Sequence, residues 1–265
     1  MKLAISGKGG VGKTTLAALL ADLYADEGVR VIAVDADPDA NLGMALGVPP
    51  EVLEGVVPIA RMEALITERT GASPGSMGEW FNLNPRVDDI PEQCWITCGG
   101  VRLLVMGGKT TGGAGCACPE NALVKNLLRH LVLERQDTVI VDLEAGLEHL
   151  GRGTASGVDA FLVVVEPGRR SFQTALAVAR MASDIGVKQV FAVGNKVRPG
   201  EEEAVRKGVG DLRLLGVLPY DPRAVEADLG GIPVTEASRE LRAAALQVKE
   251  SLERSTRSVR PLSRG

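Results

Sequence analysis

Apolar residues fall along this chain in short unbroken runs, separated by stretches in which they recur every three or four positions. Runs such as Thr138-Val139-Ile140-Val141-Asp142 and Ala160-Phe161-Leu162-Val163-Val164-Val165 show no polar alternation, so they predict strands buried on both faces. The same reasoning predicts strands at Lys2–Ser6, Val29–Asp35, Val101–Met106, Gln189–Gly194 and Leu212–Leu218. Helical spacing predicts helices near Thr14–Glu27, Glu120–Glu134, Ser171–Ile185, Glu201–Val209 and Thr235–Glu253. Regular alternation of the two predicts an α/β fold: a single doubly wound domain with a mostly parallel sheet and helices on both faces. Functional residues then belong where the strands end at their C-terminal edges. Three stretches interrupt the rhythm: a short helix around Pro58–Arg69, a Gly-, Pro- and Asn-rich excursion over Thr70–Pro91, and Gln93–Met106, which reads as a hairpin about Gly99-Gly100. The domain is expected to fill residues 1–254, leaving 255–265, rich in arginine and free of acids, as a solvated tail.

Composition narrows the chemistry. Aromatics make up only 3% of the chain against 45% hydrophobic residues, so the core must be built from Ala, Val, Leu and Ile. A net charge of −4 gives no support for a nucleic-acid surface. No apolar run approaches the roughly 18–20 residues of a membrane span, and Gly7 ends the first apolar run too early for a signal peptide. A cytoplasmic protein without stable membrane association is expected. In that reducing compartment, four cysteines point to metal or redox chemistry, or to packing, more than to disulfides.

The first strand runs into Ser6-Gly7-Lys8-Gly9-Gly10-Val11-Gly12-Lys13-Thr14-Thr15, and a helix follows. Glycines let consecutive backbone N–H groups point inward at an anion. Lys13 puts a cation on the β/γ-phosphates, and the Thr14 hydroxyl is placed for Mg²⁺. Strand, Gly-rich loop and helix N-terminus together predict a P-loop NTPase. The second strand ends in Asp35-Ala36-Asp37-Pro38-Asp39-Ala40-Asn41, where clustered carboxylates call for Mg²⁺ or a water to be activated; an acidic turn capping a helix near Asn41 is the plainer alternative. Asp142 closes a buried strand and suits an outer-shell Mg²⁺ ligand, with Ala145-Gly146 able to approach the γ-phosphate. Cys116 and Cys118 lie in a Gly-rich loop ahead of a helix that Pro119 starts. Two thiols supply half a tetrahedral site, and two copies meeting on a two-fold axis would supply four.

The segment Lys8 to Thr15 resembles the deviant Walker A motif of the MinD/ParA/nitrogenase-iron-protein class of ATPases. That resemblance implies a homodimer with two nucleotides face to face, in which Lys8 crosses to the partner's phosphates. It implies that Lys8, Lys13 and Asp37 are catalytic, Asp37 orienting or deprotonating the attacking water. Asp39 and Asn41 become switch I, and Asp142 to Gly146 the Walker B and switch II segment. Gly9, Gly10, Val11, Gly12, Lys13, Thr14 and Thr15 hold the phosphates. Asn195 and Lys196 meet the adenine edge, and Pro219, Tyr220 and Asp221 form the other wall of the base pocket.

Adding Asp37-Pro38-Asp39, the Cys-x-Cys loop, and Asp142-Leu143-Glu144-Ala145-Gly146 followed by Glu148-His149-Leu150-Gly151-Arg152, the chain from Met1 to about Leu252 resembles the CooC-type ATPases that mature carbon monoxide dehydrogenase by nickel insertion. What this implies is an ATP/ADP- and Mg²⁺-dependent dimer holding Ni²⁺ or Zn²⁺ between paired Cys116 and Cys118, with nickel-containing carbon monoxide dehydrogenase or acetyl-CoA synthase as client. An electron-transfer ATPase with an interface [4Fe–4S] cluster, similar to the nitrogenase iron protein, is the runner-up, although no cysteine follows Cys118. A positioning ATPase of MinD/ParA type is the third reading. Cys94 and Cys98, expected on one face of the hairpin, read as small buried hydrophobes, and His130 as structural.

Overall fold

Each apolar run becomes a strand of one eight-stranded sheet. The computed structural model describes residues 1–76, 80–107, 118–144 and 150–257. In chain order the strands are β1 (Lys2–Gly7), β2 (Val31–Ala36), β3 (Ile96–Cys98), β4 (Val101–Val105), β5 (Thr138–Leu143), β6 (Ala160–Val165), β7 (Val190–Val197) and β8 (Arg213–Pro219). Helices among the described residues are α1 (Lys13–Asp26), α2 (Leu42–Ala45), α3 (Pro50–Glu54), α4 (Glu63–Thr70), α5 (Ile90–Cys94), α6 (Pro119–Leu133), α7 (Arg152–Ala155), α8 (Arg169–Asp184), α9 (Glu202–Gly208), α10 (Pro222–Leu229), α11 (Val234–Ala237) and α12 (Arg239–Arg257).

Spatial order is β3-β4-β2-β5-β1-β6-β7-β8, parallel except where β3 pairs antiparallel with β4. The chain leaves β1 toward one edge, returns to set β5 between β2 and β1, and then builds the other half outward. The loops after β1, β2, β5 and β7 therefore converge at the C-terminal edge, where such sheets take ligands. Helices α1 and α12 cover one face, through Leu16, Leu19, Leu241, Ala245 and Val248. The opposite face is covered by α6, α8 and α9, through Leu123, Leu127, Val178 and Val205. Both layers are almost wholly aliphatic, with Phe161 the largest fully buried side chain.

Several expectations change in detail. The hairpin shrinks to Ile96–Val105, because α5 occupies Ile90–Cys94. Cys94 therefore ends a helix while Cys98 sits on β3, and they pack against opposite core layers rather than sharing a face. The continuous helix expected over Thr235–Glu253 is divided at Ser238, whose hydroxyl accepts from Leu241 N–H at 3.1 Å and starts α12 afresh. That helix continues to Arg257, with Ser255 and Thr256 buried.

Candidate active site

The P-loop runs from the end of β1 into α1, and Gly12 is its tightest point. Its φ is 92°, and a Cβ there would stand 2.0 Å from Asn195 Nδ2, so only glycine fits. Two side chains from the end of β7 reach into the loop. Asn195 Nδ2 donates to the Val11 carbonyl at 2.8 Å, and Lys196 Nζ donates to the Gly10 carbonyl at 2.6 Å. Lys196 holds a left-handed backbone, φ 56°, to do so. The resemblance assigns both residues to the base; the geometry adds that they brace the phosphate loop, a role set by the approach of segments 184 and 186 residues apart.

Lys13, 6% exposed at the start of α1, lies with its Nζ 3.9 Å from Asp37 Oδ2. Thr14 Oγ1 donates to Asp142 Oδ2 at 2.6 Å, while Asp142 Oδ1 is buried without a hydrogen-bond partner. Burial raises the Asp142 carboxyl to about 6, against the bond from Thr14 and the charge of Lys13, which lower it. A buried carboxylate with one oxygen left over, behind a threonine hydroxyl, fits an outer-shell Mg²⁺ ligand, since Mg²⁺ takes few protein ligands and keeps several waters. Among the described residues, no group of three or more His, Cys, Asp or Glu side chains is gathered to hold a metal.

Asp35, opposite Asp142 in the β2–β5 register, is fully buried. Burial lifts its carboxyl to about 7, even though it accepts from the N–H groups of Leu42 and Asp37. Beyond it the acidic loop doubles back: Asp37 Oδ1 accepts from Asp39 N–H at 3.1 Å, and Ala40 turns left-handed at φ 45°. For alanine that turn costs about 1–2 kcal/mol. On the other side of the P-loop, Lys8 Nζ stands 4.0 Å from Glu166 Oε1, which follows β6. Both ends are substantially exposed, 42% and 34%.

One open cavity of about 640 Å³ lies against the P-loop; Lys8, Asp35, Asp142 and Glu166 are not among its lining residues. Gly9, Gly10, Gly12, Lys13, Thr14, Thr15, Asp37, Asp39 and Asn41 line its phosphate end, and Asn195, Lys196, Pro219, Tyr220 and Asp221 its far end. Met44, Val225 and Ile232 also line it, and sequence reasoning missed them. Val225 sits on α10, whose Asp-Pro start at Asp221-Pro222 is a readable helix signal. Asp221 caps α10 through Arg223 N–H and also holds Arg223 and Ser238; the Arg223 guanidinium draws its carboxyl down to about 2. Cys118, buried, is the N-cap of α6, the helix that follows β4 in the chain, and it is not among the residues that line the cavity. Gly146, Cys116 and His149 lie outside the described residues. His130 lies on α6, its Nδ1 2.9 Å from Glu134 Oε2.

Residues 2–234 match the CobQ/CobB/MinD/ParA nucleotide binding domain. The chain is 47% identical over 239 residues to the carbon monoxide dehydrogenase accessory protein CooC of Rhodospirillum rubrum, covering 90% of each. An uncharacterised ATP-binding protein of Methanocaldococcus jannaschii is 42% identical, over 90% of this chain and 93% of its own. In fold, the chain is similar to the septum site-determining protein MinD of Pyrococcus horikoshii complexed with Mg-ADP, with a TM-score of 0.65, 20% identity and 96% of each chain covered. Among the described residues, no helix is long and apolar enough to cross a membrane. The chain belongs to the CobQ/CobB/MinD/ParA family of nucleotide-binding ATPases, in its CooC-like branch.

Proposed function

We propose that this ATPase works as a homodimer that couples ATP hydrolysis to the handling of one Ni²⁺ or Zn²⁺ ion between paired Cys116 and Cys118. The client is then a nickel-containing carbon monoxide dehydrogenase or acetyl-CoA synthase. The observation that carries the reading is the likeness to CooC, 47% identical over 90% of each chain, in a chain that pairs Cys116 with Cys118 at the start of α6. Metal binding there needs the thiolate form, which a helix N-terminus favours and burial opposes. Two copies meeting there bring four thiolates together, enough for a tetrahedral ion.

In this reading Lys13 and the inward N–H groups of Gly9 to Thr15 hold the phosphates. Thr14 and Asp142 would hold Mg²⁺, which neutralises charge on the β- and γ-phosphates when bound. Asp37 orients the attacking water. Lys8 leaves Glu166 and reaches the partner's nucleotide, adding a cation where charge develops. Closure of the two copies then brings the cysteine loops together, so that nucleotide and metal affinities rise and fall as one.

Gel filtration with metal analysis, with and without ATP and chelator, tests this on wild type and the Cys116→Ser/Cys118→Ser variant. Wild type should elute as a dimer carrying a single Ni²⁺ or Zn²⁺ ion, and the variant should lose the ion while keeping nucleotide. Metal content unchanged by the double substitution would sink the proposal. A brown protein with broad visible absorbance after anaerobic purification would favour the cluster-bearing alternative instead.

A further inference from the structure

Among the described residues, two non-glycine positions have positive φ, Lys196 and Ala40, and both sit in or beside the cavity. The strain at Lys196 has a visible purpose, since its Nζ holds Gly10. At Ala40 the side chain packs against one core layer, and the left-handed turn itself belongs to the backbone of the loop. It closes a loop in which Ala40 N–H donates to the Asp37 carbonyl at 3.2 Å, so that the chain returns to its starting point before α2 begins at Leu42. A strained conformation of this kind persists only where its surroundings over-determine it.

Asp35 holds the two ends of this loop. One of its oxygens accepts from Asp37 N–H at 3.2 Å and the other from Leu42 N–H at 2.8 Å. A single carboxylate therefore spans the entry and the exit of the loop. Its own backbone is fixed by β2, between β4 and β5, and by Met106 N–H donating to its carbonyl at 2.9 Å. Asp37, Asp39 and Asn41 line the cavity; Asp35, fully buried, does not. We propose that Asp35 is a positioning residue for hydrolysis: clamping Asp37 N–H and Leu42 N–H, it holds the strained loop so that the Asp37 carboxylate faces the water attacking the γ-phosphate. The inference rests on the reading of Asp37 as the group that orients that water.

Asp35→Asn keeps size and one accepting oxygen, and loses the other. The expected result is a fall in kcat for ATP hydrolysis of tenfold or more, with KM for ATP and the ADP dissociation constant within twofold, because the phosphate loop is untouched. Adding Ala40→Gly removes the left-handed strain the clamp opposes, and should recover at least threefold of the lost kcat, a rescue that a general folding defect would not give. Asp37→Asn, run in parallel, separates the two ideas. Loss of kcat in Asp37→Asn but not in Asp35→Asn overturns the inference alone, while full kcat in Asp37→Asn overturns the reading beneath it and the inference with it. Equal loss of kcat and nucleotide affinity in Asp35→Asn also overturns it. Should Asp35→Asn fail to fold, amide hydrogen exchange of wild type decides: slow exchange at Asp37 and Leu42 supports the clamp, and exchange at free-loop rates overturns it.

Discussion

Two carboxyl groups at the heart of the site carry its pH dependence. Burial raises Asp35 to about 7 and Asp142 to about 6, both above the ~3.9 of an unfolded aspartate. The folded protein without metal thus keeps protons that the unfolded chain gives up. Their contribution to stability is complete below about pH 4 and drains away as pH rises through 6 and 7. The melting temperature in EDTA is expected to fall between pH 5 and pH 7.5, and Mg²⁺ with ADP to restore it at the upper end; a flat or rising profile in scanning calorimetry would contradict this. Gly12→Ala should abolish measurable nucleotide binding in a calorimetric titration while leaving the fold, since the new Cβ meets Asn195 rather than the core. At this scale the sequence was legible where chemistry lives in local spacing: Lys13, Thr14 and Asp142 could be named from their neighbours. The brace from Asn195 and Lys196 could not, because it joins carbonyls and side chains that only the folded sheet brings together.

Strands could be read to within a few residues because burial on both faces leaves an unbroken apolar run, as in β5 and β6. Short helices were harder. The α5 and α10 starts carry Pro91 and Pro222, yet each is too brief for a periodic pattern to emerge. The division between α11 and α12 depends on Ser238 donating to Asp221, a tertiary contact. The junction between β6 and α8 gives a prediction of its own. Glu166 holds Lys8 within its own chain, an exposed pair worth about 0.5 kcal/mol. If the proposed homodimer forms, Glu166→Gln should release Lys8 and tighten it about two- to threefold with ATP in sedimentation equilibrium, and a weaker dimer would argue that Glu166 acts across the interface.

Across the whole molecule, α12 clasps α1, the helix that begins at the phosphate loop. Arg242 pairs with Asp22 and Asp26, and Lys249, almost fully buried, pairs with Glu27 and Glu253 while lying 4.5 Å from the centre of the Tyr24 ring. Removing a buried partner leaves stranded charge, although Glu27 is half exposed and softens the loss. Lys249→Ala should lower unfolding stability by about 1–3 kcal/mol in urea denaturation. The parallel, doubly wound topology could be read from the alternation of elements alone; this clasp could not, because it pairs charges that lie more than 200 residues apart. It also sets a timetable for synthesis. The phosphate loop is made well before its brace, which arrives with β7, and before the support for α1, which arrives with α12. A nascent chain that has made β1 and α1 therefore carries a glycine-rich loop that lacks its brace until β7 is made and lacks the clasp on α1 until α12 is made.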